Sequence, residues 1–130
     1  MEWELEFGDG PFGLVVTMHG RATASGLREV AAEYVADARF RPGINILLDY
    51  SRVDPADLTA DDIRLAAEHA RGLEPALGRG HTAIVTGTLE AFGLGRMYEL
   101  LRGDGTRTVR IVKTPEEANE WLLSTADGPS

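Results

Sequence analysis

Residues 44–50 constrain the fold more than any other segment, because they are almost entirely apolar and lead directly into a polar cluster. An apolar run without alternation is typical of a strand that is covered on both faces. We therefore predict a central strand that stops at the polar cluster, followed by a helix that begins near Thr59. In an open α/β sheet, ligands and partners bind at the edge formed by the carboxyl ends of the strands. Function is expected at that edge.

The rest of the chain alternates between strand patterns and helix patterns. Period-two alternation and turn glycines predict an antiparallel hairpin at the start of the chain, formed by residues 3–7 and 14–18. Apolar residues at helical spacing, followed each time by a short apolar strand, predict three crossover units and a final capped helix. The predicted later elements are helices at 27–38, 59–77, 89–102 and from 114 onward, and strands at 44–50, 82–86 and 108–112.

The order of these elements, ββαβαβαβα, predicts the α/β fold class. We expect a mixed sheet of about five strands, with an N-terminal antiparallel hairpin followed by parallel strands that are joined by right-handed helical crossovers. Residues 1–123 should form one domain, and residues 124–130 should form a flexible tail.

Composition and charge exclude several classes of function. The 13 basic and 21 acidic side chains leave a formal charge of −8, which repels nucleic acids and anionic membranes. No cysteine is present, which excludes disulfides and thiolate chemistry and fits a reducing cytoplasm. The sequence contains no run of about 18 apolar residues, and we expect no export signal. We expect a cytoplasmic protein with no nucleic-acid partner and no membrane span.

Spacing motifs for catalysis, metals and cofactors are absent from the sequence. The three histidines, at positions 19, 69 and 81, are scattered without metal-ligand spacing. Ser51 lacks the glycines of a nucleophile elbow, and Thr86-Gly87-Thr88 lacks the lysine of a phosphate loop. We therefore expect no catalytic residue, no metal and no cofactor.

Hydroxyl and carboxylate side chains follow the predicted strands at the expected functional edge. Helix capping explains each hydroxyl taken alone, but together these side chains mark one edge of the sheet. The predicted partner-binding rim consists of Asp49, Ser51, Asp57, Thr59, Thr86 and Thr88.

The helix predicted at residues 89–102 carries two apolar stripes. The stripe containing Leu89 and Leu100 follows core spacing, and we expect it to face the sheet. The adjoining stripe is either covered by neighbouring helices or forms an interface or a wall of an apolar ligand site. One such interface is contact with a second copy of the chain in a homodimer. The candidate residues for this wall are Leu94, Met97, Tyr98 and Leu101.

Two motifs carry a resemblance to a known family. Asp49-Tyr50-Ser51-Arg52-Val53, followed by Asp57-Leu58-Thr59 at a helix start, resembles the pattern of STAS domains, the fold of the SpoIIAA anti-sigma-factor antagonists. In that family a partner kinase phosphorylates a serine of the second motif. The resemblance makes Thr59 the candidate phosphoacceptor, while Leu58 and Ala60 replace a serine and a glycine of the motif. Residues 38–43 and 92–99 are similar to a bacterial group described as STAS/SEC14-like or SpoIIAA-like.

Two functions from different classes follow from these observations. The resemblance implies a non-enzymatic regulatory module that binds an unidentified protein partner through the rim. The SEC14-like group and the surplus apolar stripe favour a carrier or sensor of a small apolar or lipid-like ligand instead. A pocket along the helix at 89–102 would favour the ligand, and an exposed rim beside a fully packed helix would favour the partner.

Overall fold

The computed structural model describes residues 1–103 and 105–126. After an initial hairpin, helices and strands alternate along the chain. The strands are β1 (Glu2–Phe7), β2 (Leu14–Arg21), β3 (Ile46–Asp54), β4 (Gly80–Thr86) and β5 (Arg107–Val112). The helices are α1 (Ala24–Ala36), α2 (Ala60–Gly72), α3 (Glu74–Leu77), α4 (Leu89–Arg102) and α5 (Pro115–Ala126).

The strands form one mixed sheet in the order β1-β2-β3-β4-β5. β1 is antiparallel to β2, and each of the other neighbouring pairs is parallel. The predicted α/β class, with a hairpin followed by parallel strands, is therefore confirmed. Each strand lies beside the strand that precedes it in the chain.

The two faces of the sheet are covered differently. Ile46 and Leu48 of β3 belong to a buried cluster that includes Val30 of α1; on this first face α2 packs beside α1, and α4 packs beside α2. Leu47, which alternates with them, belongs to a second cluster that includes Leu122 of α5. α5 packs against β4 and β5 on this second face. The first face, covered by α1, α2 and α4, therefore holds most of the helices.

β3 continues through the polar cluster, so the predicted end of the strand is wrong. Tyr50 pairs with Thr86 at the end of β4, but β3 goes on pairing with β2 as far as Arg21 and Asp54. Pairing with β2 uses backbone N–H and C=O groups, so polar side chains in this segment do not prevent it. Asp49 therefore lies within a strand and not at its end.

Two helical segments also differ from prediction. The helix predicted over residues 59–77 is divided, because Pro75 lacks the amide hydrogen that a continuous helix needs and instead lies in the first turn of α3. The predicted loose tail begins at Ser124, but this residue is helical because α5 extends to Ala126. The remaining predicted tail residues, 127–130, lie outside the described residues. Within residues 1–103 and 105–126, no helix is long and apolar enough to span a membrane.

A buried arginine connects the segments at the amino ends of β3, β4 and β5. Arg107 begins β5 and is 1% exposed. Its Nη2 donates hydrogen bonds to the carbonyl oxygens of Ile44 (2.6 Å) and Leu77 (3.0 Å). Its Nη1 donates to the carbonyl oxygen of His81 (3.1 Å) and to Oγ1 of Thr82 (3.2 Å). We call this cluster the Arg107 site.

Candidate functional site

A pocket lies between the first face of the sheet and the helices that cover it. Its volume is about 120 Å³. Leu48 and Ile84 line it from the sheet, and α1, α2 and α4 line it from above. Small side chains on these helices leave the space open, because a larger residue at any of these positions would reach toward the sheet. The small residues of the lining are Ala31, Ala66, Ala70, Ala91 and Gly95.

Three tyrosines bring hydroxyl groups to this apolar pocket: Tyr34 from α1, Tyr50 from β3 and Tyr98 from α4. The Tyr98 hydroxyl accepts a hydrogen bond from Nη1 of Arg102 at 3.0 Å, so its own proton is free to be donated. The hydroxyls of Tyr34, which is 6% exposed, and Tyr50 have no hydrogen-bond partner among the described residues. Within the described part of the chain, the fully buried side-chain atoms without a partner are the Nε atoms of Arg102 and Arg107, so the hydroxyls of Tyr34 and Tyr50 open onto the space of the pocket.

The protonation of two of these phenols is fixed by their surroundings. Burial raises the pKa of Tyr34 and of Tyr50 well above the usual range for tyrosine, and the neighbouring phenols raise both further. Both hydroxyls therefore keep their protons at neutral pH. They are available to the pocket as hydrogen-bond donors.

Two buried guanidinium groups lie near the tyrosines. Arg102 lines the pocket, is 7% exposed and donates from Nη2 to Oε1 of Glu74 at 2.9 Å. Within the described part of the chain, Arg107 forms no ion pair with a carboxylate, and the Nε atoms of Arg102 and Arg107 have no partner. Burial dominates the raised pKa of Tyr34, while Arg107 and Arg102 both oppose that rise. The two positive charges thus favour a negative charge at the Tyr34 hydroxyl.

The orientation predicted for α4 is wrong. Leu89 and Leu100, expected to face the sheet, are 85% and 73% exposed. The adjoining stripe faces inward instead, and Leu94 and Tyr98, two of the four residues predicted for the wall, line the pocket; whether they form a ligand site stays a prediction. The other two candidates for that wall lie outside the lining, since Met97 is half-buried and Leu101 is exposed.

Thr86 differs from the other residues predicted for the rim, because it is buried. Its hydroxyl donates to the carbonyl oxygen of Val112 at 3.4 Å, and its side chain lines the pocket. Asp49 is half-buried and alternates with Leu48 and Tyr50, so it lies on the face away from the pocket. Its Oδ1 accepts a hydrogen bond from the Ser51 backbone amide at 2.9 Å.

Two of the predicted rim residues, Ser51 and Thr88, are exposed and lie near each other. They are brought together because Gly87 packs against the Ser51 backbone so closely that a Cβ atom at this position would collide with the Ser51 carbonyl oxygen. Thr88 caps α4, and its Oγ1 accepts a hydrogen bond from the Ala91 amide at 3.0 Å.

The other two exposed rim residues, Asp57 and Thr59, lie at the start of α2. Thr59 forms a capping box with Asp62: its Oγ1 accepts from the Asp62 amide (3.1 Å), and Oδ2 of Asp62 accepts from the Thr59 amide (3.0 Å). Asp57 pairs with Arg21 at 3.3 Å. Leu58, between the two, lines the pocket. We use "the rim" for the exposed set Ser51, Asp57, Thr59 and Thr88.

Sequence reasoning missed the polar part of the pocket. The spacing of Tyr34 and Tyr50 predicts core residues of a helix and a strand, and nothing in that spacing indicates that their hydroxyls meet at one pocket or that Tyr34 lies near Arg102 and Arg107. One signal for the pocket was present in the sequence: Ala91 and Gly95 are small residues on the same stripe of α4. A Cβ atom on Gly95 would lie 3.1 Å from Cγ2 of Ile111, so this stripe must be the one that approaches the sheet.

Comparisons with known proteins add no functional assignment. Neither the models of protein families nor the curated protein sequences contain a match to this chain. The resemblance to STAS domains therefore stays a prediction. Within residues 1–103 and 105–126, no three His, Asp or Glu side chains are grouped so that they could hold a metal ion.

Proposed function

We propose that this domain is a non-enzymatic binding protein for a small apolar ligand, which it carries or senses through the pocket. The observation that supports the proposal is an apolar space of about 120 Å³ beneath α4, lined by Leu94 and Tyr98. A concave apolar site with a few converging polar groups is the usual form of a small-molecule site. The converging polar groups include the hydroxyls of Tyr34, Tyr50 and Tyr98, which can donate hydrogen bonds to a ligand and so favour a binding role.

The volume restricts the size of the ligand. An engineered protein cavity of about 150 Å³ lined by aliphatic and aromatic side chains stays dry and binds benzene. A pocket of about 120 Å³ has room for one six-membered ring or a short branched chain. We therefore propose a ligand of this size and not a lipid with long acyl chains.

Benzene is the simplest probe of the proposal. We expect benzene to bind the wild-type domain in a protein-observed NMR titration, with shifts at Leu48, Ile84 and Leu94, because these residues line the pocket. Native mass spectrometry of the purified protein would also detect any small molecule that has remained bound. If benzene causes no saturable shifts at these residues and no molecule co-purifies, the proposal is wrong.

A matched pair of variants on α1 tests the location. Ala31 lines the pocket and is half-buried, whereas its neighbour Ala32 is exposed. Ala31→Leu should fill the space and abolish benzene binding while the domain stays folded. Ala32→Leu adds the same side chain outside the pocket, so it should bind benzene as the wild type does. Equal binding by both variants would place benzene elsewhere.

A second candidate function is binding of a protein partner through the rim. The observation that favours it is the exposure of Ser51, Asp57, Thr59 and Thr88 at one edge of the sheet. Phosphorylation of Thr59 would add roughly −1.5 to −2 charge to a helix N-terminus, which the helix dipole tolerates. A partner fitted to the neutral hydroxyl would then be repelled. Arg21 pairs with Asp57 and Arg64 pairs with Asp61, so these carboxylates are already partly neutralised. A phosphate on Thr59 would therefore be the main new negative charge at this position.

Thr114 provides the control for a test of this second function. Thr114 caps α5 as Thr59 caps α2, with Oγ1 accepting from the Glu117 amide at 3.1 Å, but α5 lies on the other face of the sheet. We expect a partner captured by the wild type to be captured by Thr114→Asp and lost by Thr59→Asp. Aspartate retains an N-cap in both variants, so a loss would reflect the new charge. A partner retained by both variants would contradict a role for Thr59.

A further inference from the structure

The pocket contains more hydrogen-bond donors than its own residues use. The Tyr34 and Tyr50 hydroxyls have no partner among the described residues, and the Tyr98 hydroxyl accepts from Arg102 with its own proton unused. A hydroxyl that opens onto an apolar pocket and has no protein acceptor can donate to an acceptor atom of a ligand. Three such donors in one apolar pocket indicate that the ligand supplies acceptor atoms.

The charges near these hydroxyls indicate the sign of the ligand. Arg102 is paired with Glu74, and Arg107 has only carbonyl and hydroxyl oxygens as partners within the described part of the chain. Two buried cations therefore accompany one carboxylate. A buried charge without a counter-charge is costly, so an anion bound near Tyr34 would be stabilised by both guanidinium groups.

The apolar body of the ligand follows from the rest of the lining. Leu48, Ile84 and Leu94 offer no polar atoms from their side chains, and the space accommodates about one ring. Of the other polar lining residues, Thr86 donates to Val112, Thr82 accepts from Arg107, and His69 is half-buried on α2. The three tyrosine hydroxyls act on one another electrostatically, so they lie close together and can meet one end of a ligand.

We propose that the ligand is a small carboxylic acid bound as its anion, with its ring or branched chain against Leu48, Ile84 and Leu94 and its carboxylate hydrogen-bonded to the hydroxyls of Tyr34, Tyr50 and Tyr98. This inference rests on the proposed function and specifies the chemical class of the ligand. It requires no covalent step. The tyrosines act as donors to the carboxylate oxygens, and the two arginines provide the compensating positive charge.

Three probes of nearly the same shape test the inference: benzoate, benzamide and benzene, titrated at constant ionic strength. Benzoate should bind the wild-type domain about tenfold or more tightly than neutral benzamide, because hydrogen bonds to charged acceptors are the stronger ones. Acetate has the same carboxylate without the ring and should cause no saturable shifts at Leu94. Acetate shifts equal to those of benzoate would overturn the inference.

Phenylalanine variants remove the hydroxyls and keep the rings. The double variant Tyr34→Phe with Tyr50→Phe should lose at least about tenfold in benzoate affinity and keep benzene affinity within about twofold. Retained benzene binding also shows that the variant is folded; if the double variant does not fold, the single variants provide the same comparison. Benzoate binding unchanged in these variants would overturn the inference.

The probes separate failure of the inference from failure of the proposed function. If benzene or benzamide binds and benzoate does not, the pocket is a ligand site but the carboxylate assignment is wrong. If none of the three probes binds at the pocket residues, the proposed function fails and the inference fails with it.

Discussion

The Arg107 site and the pocket both bury polar groups beneath the same helices, but they satisfy them to different degrees. Arg107 donates to three carbonyl oxygens and one hydroxyl. These acceptors lie just before β3 (Ile44), at the end of α3 (Leu77) and in β4 (His81 and Thr82). In the pocket, the hydroxyls of Tyr34 and Tyr50 have no partner among the described residues. The chain itself supplies acceptors for both Nη atoms of Arg107, and only Nε of that side chain lacks a partner within the described residues.

This difference separates a structural polar cluster from a binding one. A buried donor that meets acceptors of the same chain fixes the position of those segments, and its removal leaves the acceptors unpaired. A buried donor that meets nothing contributes no such restraint, so its removal should cost the fold little. The two sites should therefore respond in opposite ways to loss of their polar atoms.

The largest expected effect is at Arg107. Arg107→Met keeps much of the side-chain volume but removes the donors to Ile44, Leu77 and His81, so buried carbonyl oxygens lose their partners. We expect the free energy of unfolding to fall by about 3 kcal/mol or more, measured by urea denaturation. Arg79→Met, on an exposed residue just before β4, should change it by less than about 0.5 kcal/mol. Similar losses in the two variants would contradict a structural role for the Arg107 site.

Loss of the Thr59 hydroxyl should have an intermediate effect. Thr59→Ala removes the cap that accepts from the Asp62 amide and should lower the free energy of unfolding by about 1 kcal/mol. Thr59→Ser keeps the capping oxygen and should remain close to the wild type. Equal stability of the alanine and wild-type proteins would mean that the capping box contributes nothing to α2.

Loss of the Tyr34 hydroxyl should change the free energy of unfolding less than the substitutions at Arg107 and Thr59 do. Tyr34→Phe removes a hydroxyl that faces the pocket and has no partner among the described residues, so the free energy of unfolding should stay within about 0.5 kcal/mol of the wild type or rise. The same denaturation experiment measures it. A loss of about 1 kcal/mol or more would show that this hydroxyl is satisfied in the unliganded domain, and the contrast with Arg107 would fail.

The smallest expected effect is the pH dependence that comes from His81. Burial, and then the positive charge of Arg107, lower the pKa of His81 below its usual range. On acidification, His81 therefore takes up a proton in the unfolded chain at a higher pH than it does in the folded domain. The contribution of neutral His81 to the free energy of unfolding is present above pH about 6.5 and is lost as the pH falls below that value. His81→Gln should show a weaker decline in melting temperature between neutral and mildly acidic pH. An identical decline would exclude His81 as its source.

The sequence could predict the fold class because each element has a local signal. The apolar run at residues 44–50, the cap at Thr59 and the Pro115 start of α5 depend on neighbours within a few positions, and all three are present in the structure. The end of β3 was predicted wrongly, since continued pairing with β2 depends on a strand that lies more than a helix away in sequence.

The candidate site was less predictable, because it depends on which side of α4 faces the sheet. Both stripes of that helix are apolar, so hydrophobicity alone favoured the one containing Leu89 and Leu100. The other stripe faces the sheet, because Gly95 on that stripe lies close to Ile111 of β5. The convergence of Tyr34 and Tyr50 on one pocket requires the packing of α1 over β3, which no single segment encodes.

The agreement between sheet order and chain order has a consequence for synthesis on the ribosome. Chains emerge from the amino end and fold in part as they emerge. Here each new parallel strand emerges when its neighbour in the sheet has already been made, so the sheet can grow by addition at one edge. The outer strand β1, which emerges first, carries exposed Glu2, Glu4 and Glu6. Such charges oppose pairing with the strands of other nascent chains, so this domain is equipped to begin folding before its last strand has been translated.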